Sequence, residues 1–195
     1  YSMCVGGYLR YEEDTGRYTE VNKTINSVEY FNNGFSFNLN DLTNGWLTKT
    51  LTAFFRKEIL NKLDLTYYKY GRDIQLFYHI LKEGGPGFYF NDIFGVYRIH
   101  KGGVNSTKKG RINLNTAYHI YKEMYEYNKD NFTRIMYLKH SLKLFNYNLY
   151  NNYPGNTKRK NIILLRNSFR LIRYFREIRL FIIAIIPEWI RKISY

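Results

Sequence analysis

The sequence predicts an α/β fold over residues 1–105, followed by a basic α-helical extension over residues 106–195. Three observations support this division. An amphipathic helical segment follows Asp73, with strand-like segments on both sides of it. Farther along the chain, apolar residues recur only at the helical period. The formal charge changes at the same place, because residues 1–100 are balanced and residues 101–195 carry the whole net charge of +14.

The N-terminal segment predicts a β-hairpin. Residues 2–11 (SMCVGGYLRY) have strand composition, residues 12–16 (EEDTG) form a polar turn, and residues 17–21 (RYTEV) form the returning strand. The three adjacent acids of the turn would also suit a metal site. A polar turn beside a glycine explains them equally well, so we interpret them as part of an exposed hairpin.

The next elements are a loop, a strand and a helical turn. Residues 36–45 are rich in asparagine and predict a loop. Residues 46–56 (WLTKTLTAFFR) carry threonine at alternate positions, with mostly apolar residues between, which predicts a strand. Residues 57–60 then begin a short helical turn, and a loop follows it.

The segment from Tyr70 to Val104 contains the clearest element of the chain. Its apolar residues recur at i, i+3, i+4 and i+7, the period of a helix with one buried face; they are Ile74, Phe77, Tyr78 and Leu81. The Gly-Gly-Pro-Gly run at 84–87 ends that helix, since glycine tolerates a left-handed cap and proline cannot continue a helix. We expect Asp73 at the head of this helix.

Two short strands are predicted after the glycine-rich turn. Residues 88–90 form the first, Asn91 and Asp92 form a turn, and a second strand runs into residues 97–100. Asp73 and His100 would then both stand at element ends, where side chains can face a cleft.

The basic half predicts three helical segments. They span about residues 112–127, 131–150 and 158–193, and Pro187 should break or kink the last one. At the helical period, Leu165, Phe169, Ile172 and Phe175 share one face of the last segment, and Arg166, Arg170 and Arg173 lie on an adjoining face.

Two interpretations of this last segment stay open. The apolar run at 180–186 is far shorter than the roughly 20 residues that span a bilayer. A helix with arginines on one side and aliphatics on the other suits an anionic membrane surface, with residues 158–193 in the interface. Its apolar face could equally pack on this protein or on a second copy. Nucleic acid is less favoured as a partner, because no nucleic-acid-binding motif accompanies the arginines.

Cysteine content and the N-terminus give further expectations. The single cysteine, Cys4, excludes an internal disulfide and a cysteine-based zinc site. No signal-peptide pattern begins the sequence. We expect a cytoplasmic protein, peripheral at the inner face of the cell membrane. Because the chain starts at Tyr1, we also expect it to be part of a longer one.

Three segments closely resemble the C-terminal half of the catalytic domain of family-2 glycosyltransferases. They are TKTLTAFFRKEIL, YGRDIQLFYHILKEGGPGFYF and FGVYRIHKGGV, within residues 46–104. The resemblance extends over about residues 1–105. It implies a GT-A fold, here partial, and inverting sugar transfer from a nucleotide sugar to a hydroxyl of a saccharide or lipid-linked acceptor. Polysaccharide or glycolipid biosynthesis is the implied setting.

The resemblance also implies roles for individual residues. Asp73 would be the catalytic base, although an Asp at a helix start is commonly only a cap. His100 would contact the donor diphosphate or a divalent metal, Mn²⁺ or Mg²⁺, and Arg98 would contact the diphosphate. Trp46, Thr48 and Thr50 would lie on the acceptor side. The histidines at 79, 119 and 140 fall in helical stretches and are interpreted as structural.

One departure from the family pattern limits these expectations. The family's donor-binding half ends in an Asp-x-Asp metal motif, and these 195 residues contain none. We therefore expect the donor half to precede Tyr1 and the isolated chain to be inactive. The alternative is a non-enzymatic basic helical module, carried on an α/β remnant, that binds a membrane surface, a partner protein or nucleic acid.

Overall fold

The computed structural model describes residues 1–21, 30–31, 33–44, 50–102, 110–150, 157–172 and 178. The chain divides into two compact units, Tyr1–Lys108 and Lys109–Tyr195. The first unit combines a sheet with helices and the described part of the second is helical, so the α/β class is confirmed. The assignment of residues 1–105 to the acceptor-side half of a GT-A domain stays a prediction.

A six-stranded sheet forms most of the first unit. Five strands follow one path in the order β2-β1-β6-β4-β3, with the long pair β1 and β6 adjacent, and β5 pairs with β1 off this path. The strands are β1 (Met3–Glu12), β2 (Arg17–Val21), β3 (Tyr30–Phe31), β4 (Gly34–Phe37), β5 (Ala53–Phe55) and β6 (Gly87–Ile99). The helices of this unit are α1 (Lys57–Leu60) and α2 (Asp73–Gly84).

The predicted hairpin is confirmed. β1 and β2 pair antiparallel from Tyr8 opposite Val21 to Glu12 opposite Arg17. The other edge of β1 pairs with β6, and this pairing is parallel. β1 therefore has a partner on both edges at Met3–Val5, where β5 pairs with it, and at Tyr8–Glu12, where β2 does; this agrees with the burial of Met3 and Val5.

The predicted turn at Asn91 and Asp92 is wrong. β6 runs without interruption through these residues, and its register against β1 shifts twice, after Gly6 and after Gly7. The extra residues of β6 are accommodated as bulges opposite the two glycines. A Cβ on Gly6 would lie only 2.6 Å from the Phe94 ring, so the close approach requires glycine there.

The predicted strand over residues 46–56 is largely wrong in its described part. Thr50–Thr52 form a 3₁₀ helix, and only Ala53–Phe55 form a strand. Residues 45–49 lie outside the described residues. The predicted loop at 36–45 is also shorter than expected, since β4 extends to Phe37 and a 3₁₀ helix covers Asp41–Asn44.

The helix predicted from the apolar period is confirmed as α2. Its four periodic residues Ile74, Phe77, Tyr78 and Leu81 are all buried. Phe77 packs against Phe55 of β5, with ring centroids 5.7 Å apart. The helix ends at Gly84, and Gly85 follows with φ +82°, a conformation that glycine adopts without strain.

Three helices form the described part of the second unit: α3 (Gly110–Asn128), α4 (Asn131–Tyr150) and α5 (Thr157–Leu171). The middle helix contacts both of the others, so it is buried on more than one face. The core cluster contains Tyr118, Tyr137, Leu138, Leu142, Leu144, Phe145, Leu164 and Leu171.

The predicted apolar face of the last helix is only partly correct. Leu165 and Ile172 do pack against the core cluster. Phe169 does not, because 71% of it is exposed. The buried face is instead centred on Leu164, Ser168 and Leu171. Phe175, Arg173 and Pro187 lie outside the described residues. No helix in the described ranges is long and apolar enough to cross a membrane.

Candidate functional site

Asp73 is the first residue of α2, and its side chain is exposed. The N-cap position belongs to Arg72, whose backbone is extended. The Arg72 N–H donates to Gln75 Oε1 at 2.7 Å, so the glutamine side chain provides a hydrogen-bond acceptor for the backbone at the start of the helix. The Asp73 carboxylate is therefore not the helix cap.

A threonine hydroxyl positions the Asp73 carboxylate. Thr50 Oγ1 donates a hydrogen bond to Asp73 Oδ2. The threonine belongs to the 3₁₀ helix before β5, so this bond joins two segments 23 residues apart in the chain. One carboxylate oxygen is held by the hydroxyl and the other can face solvent. Such a geometry suits a group that accepts a proton from a bound hydroxyl.

The surroundings of α2 fix the place of this carboxylate. Ser2 ties the far end of the helix to β1, because its hydroxyl donates to Gly85 O at 2.8 Å and its N–H donates to Pro86 O at 2.8 Å. Gly84 has close neighbours, since a Cβ there would lie 2.2 Å from Ile59 Cδ1 of α1. Packing on both sides leaves α2 little freedom, so Asp73 is presented by a rigid element.

Arg98 and His100 lie at the end of β6. Arg98 Nη2 forms an ion pair with Glu13 Oε1 at 2.5 Å. This hydrogen bond and the negative charge of Glu13 raise the pKa of Arg98 above its ordinary value. His100 is exposed directly after the strand, and Lys101 Nζ lies 3.6 Å from Asp14 Oδ1. Arg98 and Lys101 thus face the acidic turn of the hairpin.

The structure does not bring the two groups of predicted residues into contact. Within the described ranges, no hydrogen bond or ion pair joins Asp73 or Thr50 to Arg98 or His100. Leu51, the neighbour of Thr50, lies beside Gly95 of β6. His100 follows Gly95 by five extended residues, roughly 16 Å of strand. Trp46 and Thr48 lie outside the described residues.

The residues around His100 do not by themselves fit a divalent metal site. No group of three or more His, Cys, Asp or Glu that could hold a metal occurs in the part of the chain that the structure describes. The two nearest acids of the hairpin, Glu13 and Asp14, are each paired with a cation. A metal held by His100 would need ligands beyond this set.

The other histidines lie in helices, as the sequence predicts. His79 is buried in α2, with its Nε2 2.9 Å from the Tyr68 hydroxyl and 3.1 Å from the Tyr67 hydroxyl. His140 stacks on Tyr121, with ring centroids 4.2 Å apart. Burial lowers the pKa of His140 to about 3. These contacts connect packed elements and lie in the interior of each unit.

The sequence analysis missed a row of aromatic rings on the sheet. The row continues by successive ring contacts through Tyr1, Phe88, Phe90, Phe94 and Phe54, with centroid distances of 4.8–5.9 Å. The alternation of Phe88 and Phe90 could have indicated a shared face of one strand. The bulge that brings Phe94 into the row, and the pairing that adds Phe54, have no local signal.

Comparisons with known proteins give no assignment: the chain matches no protein-family model, no curated protein and no solved structure.

Proposed function

We propose that residues 1–105 are the acceptor-side half of an inverting glycosyltransferase domain of the GT-A fold. The observation that carries this proposal is the state of Asp73. Its carboxylate is exposed at the first turn of α2, is not used to cap the helix, and accepts a hydrogen bond from Thr50. The resemblance of residues 46–104 to family-2 glycosyltransferases supplies the reaction class.

The proposed reaction is a single displacement. The acceptor hydroxyl oxygen attacks the anomeric carbon of the nucleotide sugar, and a new C–O bond forms as the bond to the diphosphate oxygen breaks. The hydroxyl proton passes to Asp73, and the nucleoside diphosphate leaves with the bonding electrons. The helix dipole favours the anionic carboxylate at this position, which suits a proton acceptor.

Arg98 and His100 are proposed to contact the donor diphosphate. Arg98 is paired with Glu13, so a diphosphate would compete with that carboxylate for the guanidinium. The Mn²⁺ or Mg²⁺ that the resemblance implies would need ligands beyond His100, because Glu13 and Asp14 are each paired with a cation. Thr50 is proposed as a positioning residue on the acceptor side, where Trp46 and Thr48 are also expected.

The test is the substitution Asp73→Asn in a chain that joins these residues to a donor-binding half. Amide in place of carboxylate removes the proton acceptor and keeps the shape, so transfer should fall by roughly 10²–10⁴-fold. Donor binding should be retained. Asp92→Asn, at another exposed aspartate, is the matched control and should keep transfer.

Thr50 variants separate positioning from folding. Thr50→Val should lower the rate of transfer, and Thr50→Ser should restore it, because serine keeps the hydroxyl. Unchanged transfer in Asp73→Asn would contradict the role of Asp73 as the base. Absence of transfer in the joined parent chain would favour a non-enzymatic module on an α/β remnant. Transfer by the isolated 195-residue chain with Mn²⁺ would contradict the expectation that the donor half lies elsewhere.

A further inference from the structure

One face of α5 is exposed and combines apolar with cationic side chains. The exposed residues are Ile162, Ile163, Arg166, Phe169 and Arg170. At 100° per residue they fall within an arc of about 120° on one side of the helix. We call these five residues the α5 outer face.

The opposite face of α5 packs against the core of this unit. Leu164 and Leu171 belong to the core cluster with Leu138 and Leu142 of α4, and Leu165 packs against it. The sequence left two alternative partners for one apolar face of this segment, and the described helix has apolar residues on two faces. The inner face packs on the protein, and the outer face is separate from that contact.

The apolar residues of the outer face are well exposed. The exposed fractions are 65% for Ile162, 48% for Ile163 and 71% for Phe169. Single exposed hydrophobic residues are ordinary on protein surfaces. Three on one side of a single helix, with two arginines among them, place apolar and cationic groups on one surface, and these are the two contributions to binding at a membrane interface.

The charge of this segment selects the partner. Residues 157–172 contain five Lys or Arg and no Asp or Glu. A second copy of the same face would bring like charges together, which disfavours self-association. Nucleic acid would use the cations but not three exposed apolar side chains, since its affinity comes mainly from phosphate contacts. An anionic lipid surface can bind both the cations, through its headgroups, and the apolar side chains, through its acyl chains.

We propose that the α5 outer face docks on an anionic phospholipid bilayer. The helix lies parallel to the surface, with Ile162, Ile163 and Phe169 inserted among the upper acyl chains. Arg166 and Arg170 contact lipid phosphates and carboxylates at the headgroup level. This inference is independent of the role of Asp73 and holds whether or not the first unit transfers sugar.

The test is flotation of the full 195-residue chain with vesicles of phosphatidylcholine, with and without phosphatidylserine. Binding should require phosphatidylserine and weaken with added salt. The double variant Arg166→Gln, Arg170→Gln should lose roughly tenfold or more in affinity. The triple variant Ile162→Ser, Ile163→Ser, Phe169→Ser should lose a similar amount, because its apolar insertion is removed.

Matched controls lie on the other two helices of the same unit. Lys143→Gln changes an exposed charge on α4, and Tyr127→Ser changes an exposed aromatic residue on α3. Both should bind as the parent does. Unfolding curves for every variant identify any loss of fold, and the outer-face changes should leave them unchanged because these side chains are exposed.

Three results would overturn the proposal. Equal binding to vesicles without phosphatidylserine would remove the charge argument. Undiminished binding by both outer-face variants would place the lipid contact elsewhere in the chain. Binding of duplex DNA that the triple variant retains, with no vesicle binding by the parent, would assign the arginines to nucleic acid.

Discussion

The two units differ in how they use their charged side chains. In the first unit, the acids of the hairpin turn neutralise nearby cations at the surface: Arg10 with Glu12, Arg98 with Glu13, and Lys101 with Asp14. In the second unit cations outnumber acids, and they lie both in the interior, as Arg134, and on the outer face of α5. Charge is thus balanced locally by the hairpin acids in one unit, whereas the other carries an excess of cations.

The largest predicted effect concerns the buried cation of the second unit. Arg134 is 1% exposed, donates from Nη1 to Leu171 O at the end of α5, and donates from Nη2 to Asn131 Oδ1 at 2.8 Å. Arg134→Met should destabilise the unit by about 3 kcal/mol, because it leaves a buried carbonyl without its charged donor. Urea unfolding followed by circular dichroism measures this loss.

The control for Arg134 is Arg170→Met, which changes an exposed arginine and should alter stability by less than about 0.5 kcal/mol. Equal effects of the two changes would break the distinction between interior and surface cations in this unit.

The second prediction uses the buried histidine of α4. Burial first, then the charges of Lys143 and Lys139, lowers the pKa of His140 from 6.5 to about 3. The unfolded imidazole gains a proton as pH falls below 6.5 and the folded one does not, so stability present above pH 6.5 is lost between pH 6.5 and about 3. The slope should be about 1 kcal/mol per pH unit.

Urea unfolding between about pH 7 and about pH 5 measures this slope. His140→Phe keeps an aromatic ring against Tyr121 and should flatten it. His100→Gln, at an exposed histidine of the first unit, should leave it unchanged. A slope that persists in His140→Phe would assign the pH dependence to other groups.

The smallest predicted effect concerns the hairpin ion pair. Glu13→Gln should destabilise the first unit by less than about 0.5 kcal/mol, because both partners are exposed and the pair is screened by solvent. Asp14→Asn is the matched change at the neighbouring pair. A loss well above about 1 kcal/mol would show that the turn acids stabilise the sheet, which would weaken the contrast between the two units.

The sequence predicted elements whose signal is local. α2 follows from the spacing of Ile74, Phe77, Tyr78 and Leu81 together with the glycines after it. The bulges of β6 could not be predicted, because Asn91 and Asp92 have turn composition and the glycines that admit the extra residues lie in β1. The sequence of one strand alone does not identify a distant pairing partner or the register of the pairing.

The candidate site was predictable to a similar extent. Asp73 was expected at a helix start, and Thr50 was expected on the acceptor side. Their hydrogen bond could not be predicted, since Thr50–Thr52 form a 3₁₀ helix in place of the expected strand. Glu13 was interpreted as a turn residue, and its ion pair with Arg98 depends on the long β1–β6 pairing.

That pairing has a consequence for the order of folding. β1 lies near the start of the chain, and its partner begins 84 residues later, where Gly87 pairs with Met3. During synthesis the first strand must wait for β6 before its ladder can close, and such distant parallel pairing is intrinsically slow. The helices of the second unit contact their neighbours in sequence. The second unit, which is synthesised after the first, therefore forms its native contacts between segments that are closer in sequence.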